Sequence, residues 1–332
     1  MSNIFQIIRA LAISALFISV GFSDTTNNLI IAHFQPAKTN YFLDEPIAVY
    51  LTVLSQYTNT VYISDYMRAE FNLCPENGVT DKVSDISHRM VSMVVPLLPQ
   101  GQVKKTYYIN ESLKFEKPGK YYVDCTAEVM ARDVKGVKVH NRISFTLAKG
   151  STEQLSKVYG DLLEEAKIIQ AKNPEACGNE PALALSSVRN PLVVPYLIKA
   201  LMIPDYLVQE STVQALAEIG TPEAIKGLTD LDLTDRKTMF LRQFTAEAFG
   251  RMKVKESVPF LIKLLNDDID SVQVSAIQAL GKIGTAECLD AIRGNMSHFK
   301  GKVKNTVVEV LDKSSHREDS VPVRSNNSTD GK

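Results

Sequence analysis

Four cysteines, five histidines and several adjacent acids are the residues of this 332-residue chain best able to do chemistry. Their spacing assembles none of the usual catalytic sites. His33, His88, His140, His298 and His316 are scattered, with no His-x-x-x-His, no His-Glu pair and no Cys-x-x-Cys. Metal sites built on helices or knuckles need such pairs to bring several donors onto one ion, so neither metal nor cofactor is expected. There is no glycine-rich phosphate loop and no Gly-x-Ser-x-Gly elbow. Glu164-Glu165 and Asp267-Asp268 read as solvated faces and loop caps, and Lys300, Lys302 and Lys304 as a solvated face. No catalytic residue emerges, and the chain is expected not to be an enzyme.

The cysteines have structural readings. Cys74 and Cys125 both fall in a β-rich region, and an exported chain could join them in a disulfide or keep them as buried thiols; both readings stand. Cys177 sits seven residues before Ala184, as Val208 sits before Ala215 and Val272 before Ala279. It is therefore expected in the core, as is Cys288, which takes the place of Ala224.

Those alanines introduce the element that must position any site. The chain repeats one phrase: ALSSVRN from Ala184, ALAEIGT from Ala215, AFGRMKV from Ala248 and ALGKIGT from Ala279, at spacings of 31, 33 and 31 residues. A second phrase follows each: VPYLIKAL from Val194, EAIKGLTDL from Glu223, VPFLIKLL from Val258 and ECLDAI from Glu287. This period marks stacked helical hairpins. Val272, Ala276, Ala279, Leu280 and Ile283 recur three or four apart, hence on one stripe of a helix, and Val208, Thr212, Ala215, Leu216 and Ile219 fill the same places earlier. Gly220 and Gly284 follow as left-handed helix ends. Thr221-Pro222-Glu223 and Thr285-Ala286-Glu287 then supply an oxygen cap and an acid for the next helix start.

One ridge departs from the pattern. The positions one before and three after the recurring Val should face outward. They hold Leu207 and Ser211, then Phe240 and Phe244, then Ser271 and Ser275. Glu247 and Arg251 continue the middle ridge, flanked by Gln214, Glu218, Gln278 and Lys282. On one reading Phe240 and Phe244 are aromatic anchors in a polar groove for a partner protein. On the other, the irregular LDLTDRKT segment shifts the helical frame and buries both.

Composition bounds the rest. The chain is 45% hydrophobic and 23% charged with a formal net charge of −1. It can build two cores but has no field to gather nucleic acid. Residues 1–23 read as an export leader: Arg9 precedes the apolar LAISALFISV, and Gly21 and Ser23 are small residues before a cut. An uncleaved anchor is the competing reading, weakened by polar Gln6, Ser14 and Ser19. After cleavage no membrane contact is expected, and the mature chain would be periplasmic or extracellular.

Residues 28–148 hold short Val-, Ile-, Tyr- and Thr-rich runs separated by Gln35-Pro36, Asp44-Glu45-Pro46, Pro99-Gln100-Gly101 and Pro118-Gly119, which predicts an antiparallel sandwich of about seven strands. Residues 151–312 switch to helical spacing, with a joining helix at 153–171 and repeats over about 180–311. The polar stretch 313–332 is expected to be disordered.

On YFLDEPIAVYLTV and LKFEKPGKYYVDC the first part resembles an immunoglobulin-like β-sandwich. The V-x-x-x-A-x-x-A-L-x-x-I-G pattern is similar to HEAT repeats, in particular the short variety of phycobilisome-lyase-type proteins. The fold class expected is therefore an antiparallel immunoglobulin-like β-sandwich followed by an α–α HEAT-type superhelix. Such repeats often carry an Asp–Arg ladder between units. The position after the Val holds Gln209, Arg242 and Gln273, so one copy fits. An iron site of the hydroxylase-type HEAT kind would need paired His and Glu on facing helices, which the sequence does not offer. The function expected is binding of another protein, without catalysis. Two alternatives accompany it: a bilin-lyase-like protein that handles a chromophore, and an envelope- or carbohydrate-binding sandwich presenting Tyr107, Tyr108 and Tyr122.

Overall fold

The computed structural model describes residues 29–64, 69–74, 94–132, 136–174, 177–232, 235 and 238–318. The leader, His88 and the end of the tail from residue 319 lie outside them. The chain divides into two compact units, Met1–Val158 and Tyr159–Lys332.

The first unit is β. Its strands among the described residues are β1 (Ile30–Pro36), β2 (Asn40–Phe42), β3 (Ala48–Ser55), β4 (Val61–Ser64), β5 (Ala69–Leu73), β6 (Val94–Leu97), β7 (Gln102–Tyr108), β8 (Gly119–Val129) and β9 (Val137–Ala148). One sheet has the order β1-β3-β7 and another β2-β9-β8-β5, while β4 and β6 form a ribbon. The expectation of a purely antiparallel sandwich needs one correction: β2 runs parallel to β9, pairing Asn40 with Thr146. Three-residue β2 and polar β5 were not legible, because neither is long enough to show period-two alternation.

Alternation is clear elsewhere. Tyr121, Val123, Cys125, Ala127 and Val129 of β8 point inward, as do Val139, Asn141, Ile143, Phe145 and Leu147 of β9. They meet Phe34, Val49, Leu51 and Val53 in one core, the arrangement period two dictates for sheets with one buried face. Buried Asn141 satisfies both of its amide atoms on β1: the side chain accepts from Phe34 N and donates to Phe34 O, each at 2.9 Å. The Tyr121 hydroxyl donates to Lys117 O at 2.7 Å and pins the turn that enters β8.

The helices are α1 (Thr152–Lys172), α2 (Glu180–Ser186), α3 (Val194–Ala200), α4 (Tyr206–Ile219), α5 (Pro222–Thr229), α6 (Met239–Met252), α7 (Val258–Leu264), α8 (Asp270–Ile283), α9 (Ala286–Gly294) and α10 (Gly301–Glu318). From α2 onward they form two layers. Helices α2, α4, α6, α8 and α10 stack side by side, and α3, α5, α7 and α9 pack against them. The stripe Val208, Ala215 and Leu216 is fully buried, and so is Val272, Ala279 and Leu280. Gly220 (φ 64°) and Gly284 (φ 69°) end α4 and α8 in the left-handed conformation the repeat requires. Thr221 and Thr285 then cap the next helices, accepting from Ala224 N and Cys288 N.

The tail expectation is corrected at its start. α10 continues past 312 to Glu318. Glu309 and Lys313 pair one turn apart at 2.5 Å and Ser314 Oγ bonds back to Val310 O, which supports the helix end. Among the described residues no helix is long and apolar enough to cross a membrane.

Candidate functional site

The ridge singled out by the sequence is built from three adjacent stacked helices. Asp205 accepts from Leu207 N at 2.9 Å and Val208 N at 3.2 Å, so α4 begins at Tyr206. That cap places the Tyr206 ring beside Phe240 and Phe244 of α6. Ring centroids are 5.0 Å apart for Tyr206–Phe244, 5.7 Å for Tyr206–Phe240 and 6.3 Å for Phe240–Phe244. The first two pairs meet edge to face, the geometry aromatic quadrupoles prefer.

The two readings of the phenylalanines divide between the residues. Phe240 is 42% exposed and Tyr206 46%, while Phe244 is 7% exposed. The position three after the recurring Val does not face outward as expected. In a side-by-side stack it points at the preceding helix. Phe244 of α6 meets Tyr206 of α4. Buried Ser275 of α8 donates to Glu247 Oε1 of α6 at 3.1 Å. In the same layer the Thr212 hydroxyl of α4 lies 3.0 Å from that of Ser186 on α2.

Glu247 is half-buried, and its Oε1 also accepts from Gln243 Nε2 at 3.0 Å. Gln214 bonds to Glu218, whose other oxygen takes Arg189 Nε at 2.6 Å. Arg251, Gln278 and Lys282 are exposed and meet no hydrogen-bonding partner among the described residues. Arg251 lies eleven residues beyond Phe240, about 16 Å along the helix, so it does not share the aromatic cluster. Phe240, Phe244 and Glu247 are therefore brought together. Arg251 continues that ridge one turn beyond Glu247 without an ion pair to it, and Gln214, Gln278 and Lys282 lie elsewhere on the same helices.

Sequence reasoning missed Tyr206 and Glu210. The signal was present: Asp205-Tyr206 is a cap followed by an aromatic, two residues before the recurring Val208. Glu210 lies one turn beyond Tyr206 and is exposed. Burial, followed by the fields of Glu210 and Glu247, raises the Tyr206 hydroxyl above its usual pKa.

Asp267 is a further correction. The sequence alone makes it a solvated cap, yet its side chain is 2% exposed and grips a fully buried Arg242 through two bonds, 2.7 and 3.1 Å. Arg242 also donates to Thr238 Oγ1 and Asp235 O. This is the one rung of the ladder that the sequence allowed. In the neighbouring units neutral bonds stand in its place: Gln273 Nε2 to Asp267 O at 2.6 Å and Gln209 Nε2 to Leu201 O at 3.4 Å.

The cysteines are all thiols. Cys74, Cys125 and Cys288 are buried, and burial pushes the Cys125 thiol far above its usual range. Cys177 is exposed rather than in the core. α2 starts only at Glu180 behind the Asn179 cap, so residue 177 lies in the preceding coil with no helix to turn it inward. In the β unit, Tyr107 packs on Phe34 and Phe71, and Tyr108 and Tyr122 are half-buried. None of the three is an open platform for a sugar.

Residues 240–312 match the family described as HEAT repeats. Two curated relatives are enzymes by name. Deoxyhypusine hydroxylase of Candida albicans is 33% identical over 99 residues, 29% of this chain and 30% of the relative. Deoxyhypusine hydroxylase of Schizosaccharomyces pombe is 39% identical over 80 residues, 24% of each. The chain thus spans less than a third of the relatives it matches. Among solved structures, the CpcE–CpcF complex of phycocyanin lyase from Nostoc sp. PCC7120 aligns at 17% identity and TM-score 0.25, covering 50% of this chain and 96% of that one. A polysaccharide lyase aligns at 10% identity and TM-score 0.18, covering 85% of this chain and 48% of that one. Scores this low bear on neither architecture nor function.

The hydroxylase names overturn the expectation that the chain is not an enzyme. They do not bring a metal site with them. Among the described residues no three His, Cys, Asp or Glu side chains converge as ligands. In the helical unit, His298 is exposed in the turn after α9. The paired His and Glu that a HEAT-type iron site needs are not found among the described residues.

Proposed function

We propose that the helical unit is a HEAT-repeat scaffold that holds a segment of another protein along the ridge of α4, α6 and α8. The observation that carries this reading is the half-exposed pair Tyr206 and Phe240, anchored on buried Phe244. Rings left in water are a cost a folded chain usually avoids, and a rigid aromatic surface in a polar setting is the composition of interface hot spots. Phe249, Phe260 and Phe299 of the same unit are all buried.

The β unit is read as an immunoglobulin-like sandwich. The Tyr121–Lys117 bond at the entry to β8, the parallel β2–β9 pairing and the shared core of two sheets favour it. The leader pattern of residues 1–23 adds export to the proposal, with the partner met in the periplasm or outside the cell.

The test is affinity capture from the native envelope and extracellular fractions, with the full chain beside Y206A/F240A. Phe244 is left intact because it is packed. A protein retained by the parent chain and lost by a variant of unchanged melting temperature supports the ridge. Equal retention by both removes it.

A further inference from the structure

The aromatic pair is open to water and lies beside two carboxylates that lack a cation. Glu210 follows Tyr206 by one turn on α4, and Glu247 follows Phe244 on α6, both on the ring side of their helices. Neither has an ionic partner among the described residues. Among the described residues both hydrogen bonds to Glu247 fall on Oε1, which leaves Oε2 open as an acceptor. The fields of both acids reach the Tyr206 hydroxyl. The rings themselves lack a covering cation. In the β unit Lys104 lies 3.8 Å over Tyr50 and Lys120 5.1 Å over Tyr122. No described lysine or arginine covers Tyr206 or Phe240.

An apolar side chain seated here would strip water from two carboxylates and give nothing back, which is costly. A cation satisfies rings and acids together. The acids stand on different helices, so one compact ammonium would serve them less well than a planar fork. Guanidinium stacks on aromatic faces, carries five donors and sheds water more readily than an ammonium.

We propose that Tyr206, Phe240, Glu210 and Glu247 form the seat of an arginine side chain from an extended partner segment, the guanidinium lying on the rings and donating to the two carboxylates. This rests on the ridge being the binding surface, and it names what the ridge selects.

The experiment titrates the full chain, carrying 13C-labelled Phe and Tyr, with three capped pentapeptides, Gly-Ser-X-Ser-Gly, where X is arginine, lysine or citrulline. Citrulline keeps the planar shape and loses the charge. The Phe240 resonance is assigned from its absence in F240L. The expected result is a saturable shift of Phe240 and Tyr206 with the arginine peptide and about tenfold weaker binding of citrulline. E210Q and E247Q should each weaken the arginine peptide about threefold or more. Glu210 makes no hydrogen bond through its side chain among the described residues, so E210Q keeps the test sound if E247Q disturbs packing. No shift with arginine, or citrulline or lysine binding as well as arginine, overturns the assignment. If the captured partner is lost in Y206A/F240A while arginine and citrulline peptides bind alike, the arginine seat alone fails. If the arginine peptide binds on the rings and no protein is retained, the scaffold reading alone fails.

Discussion

Arg242 and Asp267 form a two-bond ion pair in which both side chains are shut off from water, and it ties α6 to the segment before α8. Such a pair contributes little compared with a well-packed apolar alternative. Breaking it leaves a charge stranded in the core, typically at about 3–5 kcal/mol. R242A is therefore expected to destabilise the helical unit by about 3–5 kcal/mol in urea unfolding, and D267N by a similar amount. Gln occupies the matching places at 209 and 273 and bonds to main-chain carbonyls there. The double change R242Q/D267N should then cost less than the sum of R242Q and D267N measured singly. A strictly additive cycle would show the pair to be uncoupled.

Lys253 ends α6 with φ 54°, where the flanking units place Gly220 and Gly284. A side chain in this left-handed region carries a steric cost of about 1 kcal/mol that glycine avoids. K253G should stabilise the unit by about 0.5–1 kcal/mol, less what glycine adds to the freedom of the unfolded chain. G284A should move stability the other way. Thermal unfolding of both variants decides it; a lower melting temperature for K253G would place the strain elsewhere.

The repeat was legible because its physics is local. Small alanines, a β-branched residue seven before them and a glycine stop recur at fixed offsets, and the structure puts each on a buried stripe or a left-handed cap. What escaped was relational. Whether Ser275 or Phe244 faces water depends on the helix packed beside it, which periodicity along one helix does not contain. Asp267 looked like any loop acid until Arg242, 25 residues earlier, was seen pointing at it. Tyr206 belonged to the site because a cap set the start of α4, and the ring lay in the register of another unit. In the β unit alternation exposed the long strands, while β2 and β5 were too short or too polar to show it.

Gly250 sits where α6 and α8 cross. A Cβ built there would lie 2.6 Å from Ala279 Cα and 2.8 Å from Ala279 Cβ, against backbone that has no rotamer to yield. G250A should force the helices apart and cost about 1–3 kcal/mol, the usual price of overpacking. The companion A279G leaves that crossing open. If G250A destabilises and G250A/A279G recovers part of the loss, the close approach is the cause. No loss in G250A would mean that the crossing can widen freely.

His33 gives the β unit a pH dependence. Its burial on β1 holds the imidazole below its usual pKa of 6.5, against the opposing pull of a hydrogen bond to Gln35. The unfolded chain takes up this proton near pH 6.5, while the folded chain resists it until lower pH. Below 6.5 the unfolded state therefore binds more protons, and stability falls as pH falls until the folded imidazole is also protonated. One proton sets a ceiling of about 1.4 kcal/mol per pH unit, and partial exposure keeps the slope below it. Melting curves at pH 7.5 and 5 should show a larger loss for the parent chain than for H33Q, in the transition of the β unit. Parallel losses in the two proteins would assign the acid sensitivity to carboxylates instead, of which Asp124, held below its usual range chiefly by its hydrogen bond to Arg142, is the first to examine.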